Sequence, residues 1–168
     1  MLTPSATDSD IAIEVQNLQK TYGKKQESNG ASPVQALKGV TFQVPRRQVF
    51  SILGPNGAGK TTLIRILTTL TRPNGGDALI EGLTLSRQPM AIRQKIGVVF
   101  QANHFNRYLT IWHNLTLHAQ LHGIPESQYE ADITRLLKGV DLYERRMETH
   151  ESLSGGMQRR VALIRALI

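Results

Sequence analysis

The chain has 168 residues, of which 40% are hydrophobic and 20% charged, a balance typical of one globular domain or part of a larger one. It contains no cysteine, which excludes disulfides, thiolate metal sites and cysteine nucleophiles. Twenty Lys and Arg against thirteen Asp and Glu give a net charge of +7. Because the basic residues are dispersed, we interpret them as a solvated surface and expect no nucleic-acid partner.

The first half of the chain mixes strand and helix patterns. Apolar and polar residues alternate from Ile11 to about Leu18 and again over 40–44, which predicts two strands. The apolar run Val49–Leu53 predicts a strand buried on both faces. Helical spacing follows from Leu63 to Leu70, and the sequence Arg72-Pro73-Asn74-Gly75-Gly76 should stop that helix.

Beyond these elements, two more short strands are expected, at Ala78–Ile80 and Ile96–Phe100. Strand patterns cease after residue 101. The remaining predicted helices cover 90–94, 111–121, 125–139 and 154–168. The sequence therefore predicts a mixed α/β first part and an all-helical second part.

The most informative motif lies between the predicted strand at 49–53 and the helix after it. It reads Gly54-Pro55-Asn56-Gly57-Ala58-Gly59-Lys60-Thr61-Thr62 and satisfies G-x-x-x-x-G-K-[ST]. Such a loop folds its backbone N–H groups, with the helix N-terminus, around phosphates. Lys60 would reach the β- and γ-phosphates, Thr61 would bind Mg²⁺, and Thr62 would bond an α-phosphate oxygen.

A second motif, Leu153-Ser154-Gly155-Gly156-Met157-Gln158, leads into a basic helix. Alone, Ser-Gly-Gly before a helix is an ordinary N-cap. Together with the phosphate loop, it makes the chain resemble the ATP-binding cassette (ABC) ATPase family from about Ile11 to the last residue. The resemblance implies an α/β P-loop NTPase core with an antiparallel β subdomain and a helical subdomain.

Composition, element patterns and the resemblance together predict a division of the chain. Residues 1–10 are expected to be a disordered tail, and 11–100 the nucleotide-binding core with a flexible insert at 23–33. Residues 101–168 are expected to form the helical subdomain and the signature helix.

Further site residues follow only from the resemblance. Tyr22, in Lys20-Thr21-Tyr22-Gly23, falls where the family places an aromatic ring that stacks on adenine. Gln101 matches the family's glutamine that reaches Mg²⁺ and the attacking water. ATP and Mg²⁺ are the implied cofactors.

The implied partners are a second cassette, identical or not, and a transmembrane permease. In the family two cassettes meet head to tail, so Leu153–Met157 of one chain would contact ATP held by Lys60 of the other. The subunit would then lie in the cytoplasm on the inner face of the cell membrane. Substrate and dimer partner are left open by the sequence.

Three positions depart from the common family pattern. Met157 replaces glutamine, a variant that resembles the branch serving drug and polysaccharide export. His113 replaces the usual glutamate, and Asn106 stands where aspartate is common. We therefore expect an exporter and less typical contacts with the permease.

Phosphoryl transfer also needs carboxylates that the family places after the signature helix. The last acidic residue here is Glu151, and the last histidine is His150. We therefore expect a cassette truncated before its Walker B strand, with Lys60 and Gln101 as its remaining catalytic residues and with turnover at background. An unpaired apolar strand at 49–53 would also favour aggregation.

Other interpretations stay open at this point. They are a soluble ABC ATPase of DNA repair or translation, and a nucleotide-binding fragment without turnover. His118 and His122 have helical i, i+4 spacing with His104 and His113 nearby, which suggests a metal site, although no third ligand is obvious. Trp112 would either anchor a permease helix or pack within the helical subdomain.

Overall fold

The computed structural model describes residues 10–23, 32–100 and 105–168. These residues fall into two compact units, one that ends at Ile96 and one that begins at Gly97. The predicted disordered tail and most of the predicted insert lie outside the described residues. The predicted division of the chain into a nucleotide-binding core and a helical subdomain near residue 100 stays a prediction.

The first unit contains one antiparallel sheet of four strands in the order β2-β1-β3-β4. Its central strand β1 pairs on one side with β2 and on the other with β3, so Val15 lies opposite both Phe42 and Ala78. The strands predicted near 11–18, 40–44 and 78–80 are confirmed, and each is longer than predicted. Their bounds are β1 Ile11–Tyr22, β2 Val34–Pro45, β3 Gly75–Ile80 and β4 Leu83–Thr84.

The described part of this unit also contains two helices, α1 (Lys60–Leu67) and α2 (Pro89–Arg93). The helix α1 ends three residues before its predicted end, where Thr69 adopts a left-handed conformation with φ 62°. Leu63, Ile66 and Leu67 of α1 are buried with Val15, Leu18 and Ile92 in one apolar cluster. This cluster fixes α1, and hence the loop that precedes it, against the sheet.

Two predicted strands do not form. Residues 49–53 and 96–100 are not part of any sheet among the described residues, and the side chains of Val49 and Leu53 are 98% and 89% exposed. A strand buried on both faces needs neighbouring strands, and the described residues offer none to this segment. In the second segment, Gly97 packs directly on the Ala166 carbonyl, and Arg159 donates to the Phe100 carbonyl at 3.5 Å.

The second unit is helical. It contains α3 (Ile111–Leu121), α4 (Glu126–Gly139) and α5 (Gly155–Leu167), with short 3₁₀ turns at Tyr143–Arg145 and His150–Ser152. All three predicted helices are confirmed to within a residue or two. Trp112 packs against the buried cluster, as the packing alternative for this residue predicted; the cluster comprises Ile111, Leu115, Ala119, Tyr129, Ile133, Leu137, Leu142, Leu153, Val161 and Ile164.

Candidate functional site

The loop at 54–59 is shaped by glycines that no other residue can replace without strain. Gly57 and Gly59 have φ values of 84° and 87°, which lie in the left-handed region. A Cβ atom on Gly59 would meet the Ala36 carbonyl oxygen and would lie 2.9 Å from Leu37 Cδ2. Both the backbone conformation and the close approach to β2 therefore require glycine at position 59.

The N-terminus of α1 has no side chain that satisfies its first N–H groups. Gly59 occupies the N-cap position, no side chain caps the helix, and its first turn contains no acidic residue. The first N–H groups of a helix have no intrahelical acceptor and carry a partial positive charge. An exposed, uncapped helix start of this kind fits a phosphate group chemically.

Lys60 crosses the inner side of this loop. Its Nζ donates to the carbonyl oxygens of Gly54 at 2.6 Å and Pro55 at 2.7 Å, which places an ammonium group against the first two residues of the loop. Thr61 is exposed and Thr62 half-buried at the same helix start. A cation, amide donors and hydroxyls are thus concentrated in one short segment, as a triphosphate with Mg²⁺ requires.

Tyr22 is the last residue of β1 and is 43% exposed. It pairs with Val34, and Ala36, two residues further along β2, contacts Gly59 of the loop. Two residues of strand span roughly 7 Å. The structure therefore brings Tyr22 and the loop to the same region of the first unit, as expected for a base and its phosphates.

The motif at 153–157 forms the start of α5. Ser154 is the N-cap, and its Oγ accepts a hydrogen bond from the Met157 N–H at 3.4 Å. Leu153 is buried, whereas Gly155 and Gly156 are exposed, and a Cβ on either glycine would meet no atom within 4 Å. The motif thus combines an N-cap with an exposed backbone.

Sequence reasoning missed the ionic network that precedes this motif. Arg145 donates to both carboxylate oxygens of Glu148, at 2.8 and 2.7 Å, and Ser152 Oγ donates to the same carboxylate at 2.8 Å. These hydrogen bonds, first from Arg145 and then from Ser152, lower the pKa of Glu148 to about 2. A further N–H of Arg145 lies 3.1 Å from the sulfur of Met157. The only sequence signal was opposite charge at i, i+3 outside a predicted helix.

Asn114, also missed, holds the segment before α3. Its side chain accepts from the N–H of Asn106 at 2.8 Å and donates to the carbonyls of Asn106, Leu109 and Thr110. His113 is exposed and its Nδ1 lies 2.9 Å from Thr110 Oγ1. Asn106 and His113 are two of the positions that depart from the common family pattern. Asn106 uses its backbone for the contact with Asn114, and His113 lies at the surface.

The histidine pair on α3 does not form a metal centre of three or more ligands with any other described residue. The rings of His118 and His122 lie 4.4 Å apart. Burial, with smaller effects from His122 and Arg165, lowers the pKa of His118 to about 4. His104 lies outside the described residues.

His150, just before the signature motif, is buried and stacks on Phe105 with 4.3 Å between ring centroids. Burial lowers its pKa, which disfavours the charged form of the ring. Gln101 lies outside the described residues. Tyr22 and the phosphate loop belong to the first unit, and residues 153–157 to the second.

Comparison with known proteins defines the class. The family model described as ABC transporter matches residues 37–168, more than half of the chain, so the chain belongs to this family. The predicted ABC cassette fold is confirmed by solved structures. An ATP-binding cassette, MJ0796, in a dimeric post-hydrolysis state bound to ADP and Pi, superposes with a TM-score of 0.75 at 29% identity. The match covers 92% of this chain and 68% of that one.

A second structure is cbiO1 from Clostridium perfringens, part of the ABC transporter complex cbiONQ. Its TM-score is 0.77 at 27% identity, covering 95% of this chain and 62% of that one.

Two curated relatives carry functional names. Methionine import ATP-binding protein MetN 1 of Bacillus cereus is 38% identical over 159 residues, which are 92% of this chain and 44% of the relative. Doxorubicin resistance ATP-binding protein DrrA of Mycobacterium tuberculosis is 36% identical over 161 residues, 96% of this chain and 46% of the relative. The chain thus spans less than half the length of these relatives. Within the described ranges, no helix is both long and apolar enough to cross a bilayer.

Proposed function

We propose that the chain is the ATP-binding portion of an ABC transporter subunit, with the phosphates of ATP on Gly54–Thr62 and adenine on Tyr22. The observation that carries this proposal is the uncapped start of α1 beneath an exposed glycine loop, with Lys60 directed into the loop. ADP and Pi in the post-hydrolysis MJ0796 structure support a nucleotide ligand.

The loop residues suit separate roles. Lys60 would exchange its two carbonyl partners for β- and γ-phosphate oxygens, and Thr62 would bond an α-phosphate oxygen. Thr61 would hold Mg²⁺, together with Gln101, which would also reach the attacking water. When bound, Mg²⁺ supplies neutralising charge on the phosphates.

Substituting Lys60 tests the phosphate assignment. We expect Lys60→Ala to lower ATP affinity by at least tenfold, measured by fluorescent-ATP titration, because it removes the charge-assisted bonds to phosphate. Lys95→Ala, which changes an exposed lysine of the same unit, is the matched control and should bind like the unaltered chain. Unchanged affinity of Lys60→Ala would refute the phosphate assignment.

For Leu153–Met157 we propose contact with ATP held by a second cassette, arranged head to tail. The exposed glycines after an N-cap serine support this role, because small residues at a helix start leave N–H donors accessible to an anion. The dimer of MJ0796 supports cassette pairing. Engineered crosslinks between the loop of one subunit and Ser154 of another should form only with ATP; equal yield without nucleotide would contradict the pairing.

We further propose a permease partner, a position on the inner face of the cell membrane, and export as the direction of transport. The complex that contains cbiO1 supports a transporter assembly. Met157 and the drug-resistance relative favour export, whereas the methionine-import relative favours the opposite direction. Transport assays with the whole subunit and its permease in vesicles of both orientations would decide between them.

Hydrolysis is proposed for the whole subunit. For the 168 residues alone we propose nucleotide binding with background turnover, since they contain no acidic residue after Glu151. Steady phosphate release by this chain that Lys60→Ala abolishes would contradict that proposal.

A further inference from the structure

Lys20 lies beside the ring that the proposed function assigns to adenine. Side chains alternate along a strand, so Lys20 and Tyr22 share one face of β1. The Lys20 Nζ is 5.3 Å from the centroid of the Tyr22 ring, within the range of a cation–π interaction. One face of the ring therefore already carries a cation.

The lysine is itself held in place. Its Nζ donates to the Arg72 carbonyl at 2.7 Å. Two more bonds join the same loop to the end of β1: Asn74 Oδ1 accepts from the Thr21 N–H, and the Asn74 N–H donates to the Gln19 carbonyl, both at 2.8 Å. This loop follows α1, the helix that begins at the phosphate loop. The strand end that carries Tyr22 is thus tied to the segment that leaves the phosphate site.

We propose that Lys20 is a positioning residue that holds Tyr22 for the nucleotide base and leaves the opposite ring face for stacking. This inference rests on the proposed function. A free tyrosine side chain would lose rotamer freedom when a base stacks on it, and a ring already held loses less. Lys20 is therefore expected to affect recognition of the base and not of the phosphates.

The experiment compares ATP–Mg with tripolyphosphate–Mg, which has the phosphates but no base, by isothermal titration calorimetry on the 168-residue chain. Lys20→Met keeps the apolar stem but removes the cation and the donor. Lys20→Gln keeps a hydrogen-bond donor but no charge, and Lys20→Arg keeps both the donor and the positive charge. We expect Met and Gln to weaken ATP binding about threefold without changing tripolyphosphate binding, and Arg to restore ATP binding.

Several outcomes would overturn the proposal. Equal loss for both ligands would mean that Lys20 acts by general charge or by folding, which a thermal melt would register separately. Stronger ATP binding by Lys20→Met would mean that the lysine occupies the ring face that the base needs. Affinities equal to those of the unaltered chain would leave Lys20 without a role.

Two parallel variants separate this proposal from the proposed function. Tyr22→Ala should weaken ATP about tenfold and spare tripolyphosphate, and Lys60→Ala should weaken both. If Tyr22→Ala has no effect, the adenine assignment itself is wrong. If Tyr22→Ala behaves as expected but the Lys20 variants do not, only the positioning role fails.

Discussion

The phosphate loop and the signature motif are both helix starts rich in small residues, yet they satisfy their N–H groups differently. At α1 the N-cap is Gly59 in a left-handed conformation, with no side-chain cap. At α5 the N-cap is Ser154, whose hydroxyl accepts from Met157. At the first helix start no side chain accepts from the N–H groups, whereas at the second Ser154 already satisfies one of them, that of Met157. At α1, glycine is needed because a Cβ atom would clash with β2. At α5, the glycines leave the backbone of the helix start exposed.

The largest effect that would test this contrast is expected at Gly59. Gly59→Ala combines a left-handed backbone with a Cβ placed on the Ala36 carbonyl, which should destabilise the fold by roughly 3 kcal/mol and abolish ATP binding. Gly57→Ala has the same type of φ but meets nothing within 4 Å, so it should cost only about 1 kcal/mol. Thermal melts of the two variants measure the difference. Equal losses would show that close packing at Gly59 contributes nothing.

The sequence predicted those elements that depend on neighbouring residues better than those that depend on residues distant in the chain. The bounds of α3 coincide with those expected, since Thr110 caps the helix locally and the apolar spacing lies within it. The strand expected at Val49–Leu53 failed because burial on both faces depends on distant strands, which a local apolar run does not report.

The candidate site also combines features that are encoded locally with features that depend on residues far apart in the chain. The phosphate loop was recognisable because its chemistry is contained in nine consecutive residues. The contact of Gly59 with Ala36, and the bonds that join Lys20 to the loop after α1, link residues far apart in the chain and have no local signature. The assignments of Tyr22, Gln101 and Ser154 stay predictions.

A smaller effect, of opposite sign, is expected at the signature motif. Gly156 has an ordinary helical backbone and open space where a Cβ would stand, so Gly156→Ala should stabilise the chain by about 0.4–1 kcal/mol. In the whole subunit the added methyl group should weaken ATP-dependent dimerisation, measured by size-exclusion chromatography with and without ATP. Destabilisation by this variant would mean that the two helix starts have similar steric limits.

The smallest effect concerns how the signature segment is held, by side-chain charges where the phosphate loop relies on backbone geometry. Because Arg145 and Ser152 lower the pKa of Glu148 to about 2, below the ~4.3 of an unfolded chain, the unfolded state binds more protons in this interval. The contribution of Glu148 is therefore complete above pH ~4.3 and is lost as the pH falls towards 2. Glu148→Gln should lower the melting temperature slightly at pH 7 and flatten its decline between about pH 4.3 and 2, because the variant has no carboxylate to be protonated in this range. Since the group is exposed, salt should reduce the difference, and Glu130→Gln, at an exposed position on α4, should leave the acid limb unchanged. If the melting temperatures of the unaltered chain and of Glu148→Gln declined equally as the pH falls, the network would not stabilise the segment before Ser154.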